Sequence, residues 1–376
     1  MYSTAYQNKV QLFMDAANFK NTRLPNLSND YTWKIYDEGV PYKEAYHKSK
    51  SMGKLVCANH ERYQFDSYLD LGTRNHFPQM EALGGGAYVL NEETGGINVT
   101  DAPCITAEDL KDFAANPMGY LNIMFQRKFP DLTTDQFVKA TTAFLQSSGY
   151  AKDIQETFAT KYDTPLFMST SASVQPAFES FHSSFMGIKD VSMAMRRNKE
   201  ELKEACDAYY QAMVHPSLER ALKGEKTTVV DVYTGLIGHC VLNQKQFELF
   251  YYPELKQIVD ETAAAGKTVY LYVEGSIARF AEYFQDFPKG TCIMHLEQDD
   301  PIEMRKLLPN MCIAGGMTTD ILGTRTPAEC VDYAKRLVDE MGQGFIMSQN
   351  KMLSFKNDCR RENLLAVNEY VRSVRY

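Results

Sequence analysis

The second half of the chain alternates β-branched runs with helical stretches and leaves little filler between them, and this rhythm restricts it to a parallel α/β architecture. The runs Thr227–Thr234 (TTVVDVYT), Lys267–Gly275 (KTVYLYVEG), Thr291–Gln298 (TCIMHLEQ), Met311–Ala314 (MCIA) and Gly344–Ser348 (GFIMS) read as strands. Helical periodicity fills the gaps. Gln244–Ala265 carries Phe247, Phe250 and Ile258 on one side, and Pro253 should kink or restart it. A short helix is expected over Ile277–Phe284, another from Pro301 through Leu308, and a last one over Glu362–Val374. The best defined helix opens at Thr326, where a T-x-x-E capping box to Glu329 and Pro327 at the first helical position fix its start. Cys330, Ala334, Leu337, Val338 and Met341 then recur at helical spacing until Gly342. Continuous apolar strands separated by helices imply a sheet covered on both faces, either doubly wound or closed into a barrel.

The first half is less regular. A helix is expected near Asn8–Asn18, strands at Arg23–Leu27, Lys54–Ala58 and Phe167–Ser171, a hairpin within Gly84–Asn98, and a helix over Lys199–Met213 with Leu202, Ala205, Tyr209 and Met213 inward. Three strands added to five make eight, and eight parallel strands close a barrel. The expectation is therefore one α/β domain over residues 1–376, a (β/α)8 TIM barrel with an N-terminal hairpin insertion.

Composition narrows the function by exclusion. The net charge of −8 lacks the basic excess of a nucleic-acid binder. No stretch reaches the ~18 apolar residues of a membrane span, and no secretory signal opens the chain. The eight cysteines form no C-x-x-C pair, so they are expected to be reduced core thiols in a cytoplasmic protein. Gly84-Gly85-Gly86 fits neither dinucleotide nor P-loop spacing, and neither G-x-S-x-G nor H-E-x-x-H occurs.

In parallel α/β proteins reactive groups gather at the C-terminal ends of strands. Polar residues there include Tyr233, with His239 and Cys240 beyond it; Tyr272 and Glu274; His295 and Glu297, then Asp299 and Asp300; and Ser348, Gln349, Asn350 and Lys351. Glu274 and His295 each interrupt an apolar strand near its end. Tyr272 and Glu274 are two apart and share a face, as do His295 and Glu297. A carboxylate and an imidazole on neighbouring strands can converge over the barrel mouth. Such a pair can hold Zn²⁺ with an open position for substrate, act as an acid–base pair without metal, or only satisfy its own buried polar atoms. Tyr233, Asn350 and Lys351 are the candidate substrate-binding residues.

At these residues the chain resembles the uroporphyrinogen decarboxylase superfamily, and most closely its corrinoid-dependent methyltransferase branch. The stretches LNQKQFELFYYPELKQIVDETAAAGKTVYLYVEG, IAGGMTTDILGTRTPAECVDYAKRLV, GFIMSQNK and ENLLAVNEYV carry the likeness, together with PQMEALGGGAYVLNEETGGINVTDAPCITAEDL in the first half. The resemblance implies a barrel with a corrinoid presented at its mouth. Several members bind zinc through an H-x-C pair and a cysteine on the last strand. Here Tyr272 stands at the histidine position, Glu274 at the first cysteine and Lys351 near the second, so that set is lost and thiol methylation is disfavoured. Glu274 and His295 instead match E-x20-H, which resembles the zinc-site spacing of O-demethylase methyltransferases. Glu261 is two residues off the pattern's upstream glutamate, which leaves Glu297 or His239 as the third ligand. Decarboxylases carry M-R-Q-A-G-R-Y after the first strand; here LPNLSNDYTW holds no arginine.

The resulting expectation is a methyltransferase that moves a methyl group from a small methoxylated aromatic or other methylated donor to the cob(I)alamin of a separate corrinoid protein. Glu274, His295 and Tyr272 are its expected catalytic residues, and Glu274, His295 and Glu297 its expected zinc ligands. A decarboxylase-like enzyme and a non-catalytic corrinoid- or ligand-binding barrel are the alternatives. The sequence leaves a homodimer open.

Overall fold

The computed structural model describes residues 2–85, 88–99, 103–168, 172–225 and 228–376, and of Ser49 only the backbone. Among the described residues nine strands form: β1 Asn26–Ser28, β2 Ser67–Tyr68, β3 Tyr88–Leu90, β4 Ile97–Val99, β5 Val232–Leu236, β6 Val269–Val273, β7 Cys292–Leu296, β8 Cys312–Met317 and β9 Phe345–Gln349. Seven of them make one parallel sheet in the order β2-β1-β9-β8-β7-β6-β5. The remaining gap, between β2 and β5, is bridged by an irregular stave. Leu166 pairs with Tyr68, the Val229 and Val230 amides bond the Leu166 and Phe167 carbonyls, and Ser173 pairs with Tyr233. The wall is thus a closed barrel of eight staves, seven regular and one not. The hairpin β3–β4 stands apart as its own antiparallel pair, where an insertion was expected.

Two layers of core follow from the strand alternation. Inward side chains such as Leu27, Tyr270, Ile293, Cys312 and Ile346 fill the barrel, and Phe13, Ala16 and Ala17 from the helix Thr4–Ala17 pack into the same cluster. Phe13 meets Phe167 edge-on at 5.2 Å. That helix stoppers the N-terminal end and leaves the C-terminal mouth as the open one. Outward residues of the strands pack under the surrounding helices in the larger cluster.

Several boundaries differ from the sequence reading, each for a local reason. Lys54–Ala58 is not a strand; it lies inside the helix Ser49–Tyr63. Met52, Leu55, Val56, Asn59, His60 and Tyr63 are buried at helical spacing, a wider pattern than the short apolar run. The second stave is instead Ser67–Tyr68, after Gln64 ends that helix in the left-handed conformation. The first strand is Asn26–Ser28 rather than Arg23–Leu27. Of Phe167–Ser171, residues 169–171 lie outside the described residues, as do Gly86 and Ala87 of the hairpin segment and Thr227 of the next strand; that strand begins only at Val232. The helix Lys199–Tyr209 runs into a widened π turn, Tyr210–Val214, where the His215 amide bonds the Tyr210 carbonyl five residues back. The extra residue rotates the face, so Tyr210 and Val214 are buried where strict periodicity selects Tyr209 and Met213. The 28-residue helix Thr134–Lys161 escaped sequence reading because Phe137, Val138, Phe144 and Leu145 point outward and blur its amphipathic pattern.

The capped helix Pro327–Met341 forms as expected, with all five named apolar residues buried. The Thr326 hydroxyl accepts from the Glu329 amide, and the Glu329 carboxylate accepts from the Thr326 amide. Thr326→Ala should cost about 1 kcal/mol, read as a lower midpoint in denaturant with an unchanged slope. No helix among the described residues is long and apolar enough to cross a membrane.

Candidate active site

The C-terminal ends of the staves open into a cavity of about 600 Å³. Its floor is set by parallel register. Gly235 pairs with Tyr272, and Tyr272 with His295. Two residues further along, the ladder continues through the Glu274 amide to the Leu236 carbonyl and the Glu297 amide to the Val273 carbonyl. Glu274 and Glu297 therefore share the layer at the cavity, while Tyr272 and His295 share the layer beneath. Tyr272, Glu274 and Glu297 line the cavity.

His295 is wholly buried below Tyr272, with the two rings stacked at 4.7 Å. Both ring nitrogens are engaged. Nε2 lies 2.8 Å from the Asn350 carbonyl, which can only accept, so Nε2 carries the proton; Nδ1 then accepts from the Tyr270 hydroxyl at 2.6 Å. Burial pushes the imidazole down to about 4, so it is neutral. Asn29 ties the assembly to the other side of the barrel, donating through Nδ2 to the Tyr272 hydroxyl at 3.2 Å and to the Gln349 carbonyl at 3.2 Å.

This arrangement does not suit the zinc set read from spacing. A metal on His295 would have to displace either Tyr270 or Asn350 from a closed, dry contact, and Glu274 and Glu297 stand one layer above the ring. Among the described residues no three His, Cys, Asp or Glu side chains group closely enough to hold a metal. The other candidates for a third ligand are also placed elsewhere. Glu261 pairs with His215 at 3.1 Å on the outer helices. His239 is fully buried, with burial pushing it down to about 4 and its Nε2 3.6 Å from the Cys240 sulfur.

The remaining candidates divide between cavity and frame. Tyr233 lines the cavity although it is the second residue of its strand. Its hydroxyl rises over Gly235, where a Cβ would lie 3.3 Å from it. Lys351 lines the cavity and is exposed. Asn350 belongs to the frame: its carbonyl holds His295 and its Nδ2 donates to the Glu297 carbonyl at 2.5 Å. Asp299 accepts from the Ile277 and Ala278 amides, and Asp300 caps the helix Pro301–Leu307.

Three charged cavity residues, Glu179, Arg74 and Lys128, were not singled out in the sequence. Glu179, on the turn Ala177–Ser180, is 2% exposed and accepts from the Ile237 and Gly238 amides and the Tyr251 hydroxyl. No local pattern marks it, since Ser180, His182, Ser183 and Ser184 break up the run of Phe178, Phe181 and Phe185 around it. Arg74, from the loop after β2, lies 6.0 Å over the Tyr31 ring and has no ion-pair partner within 4.0 Å among the described residues. Its loop carries no periodic pattern to mark it.

Electrostatics in the cavity raise the proton affinity of two of its carboxyls, Glu274 and Glu179. Burial raises Glu274, the adjacent Glu297 raises it further, and Arg74 partly opposes them. Burial lifts Glu179 to about 7. Burial holds the Tyr272 hydroxyl far above the ordinary phenol range, so it keeps its proton.

The same shifts fix a stability profile. Asp30, Glu179 and Glu254 are raised by burial to about 7, 7 and 8, so the folded state holds protons that the unfolded state has released, and stability falls as pH rises through those values. His60, His239 and His295 are lowered to about 4, so stability falls as pH drops below 6.5. Between the unfolded carboxyl and imidazole values the two groups oppose one another. Thermal midpoints should be nearly level from pH 5 to 6.5 and decline from pH 7 to 8.5, and Glu254→Gln should soften the decline. A midpoint that climbs steadily to pH 8.5 would contradict the assignment.

No curated protein matches the chain in sequence. Among solved structures, a methyltransferase from Methanosarcina mazei superposes with a TM-score of 0.63 at 13% identity, covering 97% of this chain and 98% of that one, which establishes a shared fold from end to end. Residues 150–372 match the uroporphyrinogen decarboxylase (URO-D) family, a span that takes in the irregular stave, all five regular staves that follow and every carboxyl of the cavity floor. By that match and by its closed parallel barrel, the chain belongs to the uroporphyrinogen decarboxylase family.

Proposed function

We propose that the protein is a methyltransferase that takes a methyl group from a small methoxylated aromatic or other methylated donor and passes it to cob(I)alamin on a separate corrinoid protein. The observation that carries this reading is the open cavity whose floor presents the Tyr272 hydroxyl, which keeps its proton, beside the Glu274 carboxyl, whose affinity for a proton is raised by burial and by Glu297. An oxygen that loses a methyl group gathers negative charge and needs hydrogen-bond donors, and an acceptor arriving from a second protein needs an unobstructed face. The end-to-end likeness to a methyltransferase fold supports the same reading.

The residues inside the cavity would hold the donor while the carrier protein presents the methyl acceptor from outside. Tyr31, Tyr233 and Tyr272 offer aromatic faces to an aromatic donor. The Tyr272 hydroxyl and the Glu274 carboxyl would donate to the ether oxygen. Asn29 fixes the Tyr272 hydroxyl from below, and the stacked His295 fixes its ring. No step is assigned to zinc, because the donor set does not suit it.

A decarboxylase reading has in its favour the family match and the guanidinium of Arg74, which has no carboxylate within 4.0 Å among the described residues and could grip that of a substrate. The two readings part in one assay. The protein is mixed with reduced corrinoid protein and a panel of methoxyarenes, and loss of the cob(I)alamin absorbance is followed. Methylation of cobalt is the expected result. Carbon dioxide release from an acidic tetrapyrrole without any corrinoid would favour the alternative instead.

A further inference from the structure

We infer that Glu179 is a catalytic acid, supplying the proton that the leaving oxygen takes up as its methyl group departs. The inference rests on the methyltransferase reading.

The three donors to Glu179 all converge on one oxygen. Oε1 accepts from the Ile237 amide at 2.8 Å, from the Gly238 amide at 2.9 Å and from the Tyr251 hydroxyl. Oε2 has no protein partner among the described residues and is left to the cavity that Glu179 lines. The side chain is 98% buried, and the backbone that supplies two of the donors comes close because position 238 is glycine. A Cβ there would lie 3.0 Å from the Phe178 ring and 3.4 Å from the Glu179 carboxyl carbon. A structural carboxylate would be expected to spread its acceptors over both oxygens. Here one oxygen is fully served and the other is free, which suits an acid whose hydroxyl points at a substrate.

The chemistry balances. The bond from the methyl carbon to oxygen breaks and its electron pair stays on oxygen, while the methyl carbon bonds to the acceptor, a reduced corrinoid. The leaving oxygen takes the proton from Glu179 Oε2, directly or through one cavity water. The negative charge moves onto a carboxylate that two amides and a phenol already face, so nothing must reorganise. Glu274 is a poorer source of that proton. Glu297 stands next to it on the neighbouring strand and already raises its hold on the proton, which disfavours the charge that losing it would leave. Glu274 therefore orients the oxygen as a hydrogen-bond donor, and Glu179 delivers the proton. Burial holds the Glu179 carboxyl at about 7, so that it is substantially protonated at neutral pH.

The test is Glu179→Gln, which keeps an oxygen for the three donors but has no acidic proton. Single-turnover methyl transfer to reduced corrinoid protein is measured for a series of methyl aryl ethers whose phenols differ in acidity. The variant should lose about 10²–10⁴-fold on ethers of the least acidic phenols and little on those of the most acidic. A loss of equal size across the series would mean a purely structural role and would overturn the proposal. A second measurement needs no turnover. The infrared difference between wild type and variant near pH 6 should contain a protonated carboxyl band that disappears as pH is raised through 7–8; its absence would equally overturn the proposal. If the wild type demethylates no ether at all, the methyltransferase reading fails and the donor role with it, whatever the infrared difference shows about the proton.

Discussion

Glu274→Ala should lower the rate of methyl transfer by about 10²–10³-fold, while the protein stays folded and the donor binds with little change. The expectation follows from where the carboxyl stands. It is only part-buried, lines the cavity and has no side-chain hydrogen bond among the described residues, so the fold asks little of it. Its elevated affinity for a proton comes first from burial and then from Glu297 on the adjoining strand. A carboxyl that donates a hydrogen bond to a developing oxyanion contributes more in the transition state than in the ground state, so the loss should fall on kcat rather than KM. Single-turnover kinetics with saturating donor, alongside thermal unfolding, reads both quantities. Near wild-type turnover in the variant would remove Glu274 from the mechanism.

His295→Ala should behave in the opposite way, costing about 3–5 kcal/mol of stability, which is a fall in unfolding temperature of about 4–6 °C. The ring is wholly enclosed, so its removal leaves a void beneath Tyr272. Both the Tyr270 hydroxyl and the Asn350 carbonyl lose their partner in a place water does not reach, and each unpaired group adds to the cost. Activity would fall as a consequence, because Asn350 also carries the Glu297 carbonyl through its Nδ2. A zinc ligand would give another pattern. Here a chelator should leave the wild-type unfolding temperature unchanged, and a clear drop on chelation would restore the metal reading of residues 274, 295 and 297.

The contrast between these two residues shows how far the sequence could be read. The five strands of the second half, the capped helix from Thr326 and the closure into a barrel were legible because each rests on local periodicity or cap chemistry. That Tyr272, Glu274, His295 and Glu297 all point into the barrel was legible from alternation alone. What alternation cannot give is depth. Glu274 and His295 are each the first polar residue in their strands worth noticing, yet the parallel register sets His295 beside Tyr272 and leaves Glu274 beside Glu297. An offset of two residues separates a neutral, enclosed imidazole from a carboxyl in an open cavity. Glu179 and Arg74 were illegible for another reason. They come from a short turn and a loop, and only the closure of the chain brings those segments over the mouth.

The hairpin of Tyr88–Leu90 and Ile97–Val99 borders the cavity, yet among the described residues it pairs with none of the barrel strands and leaves Tyr88, Val89 and Val99 exposed. Exposed positions of this kind tolerate replacement for roughly ±0.5 kcal/mol. The rim that a substrate must pass can therefore be rewritten almost independently of the scaffold that holds it. Selectivity for different donors is open to drift in lineages of this protein without jeopardising folding, whereas the tyrosine–histidine lattice below is not.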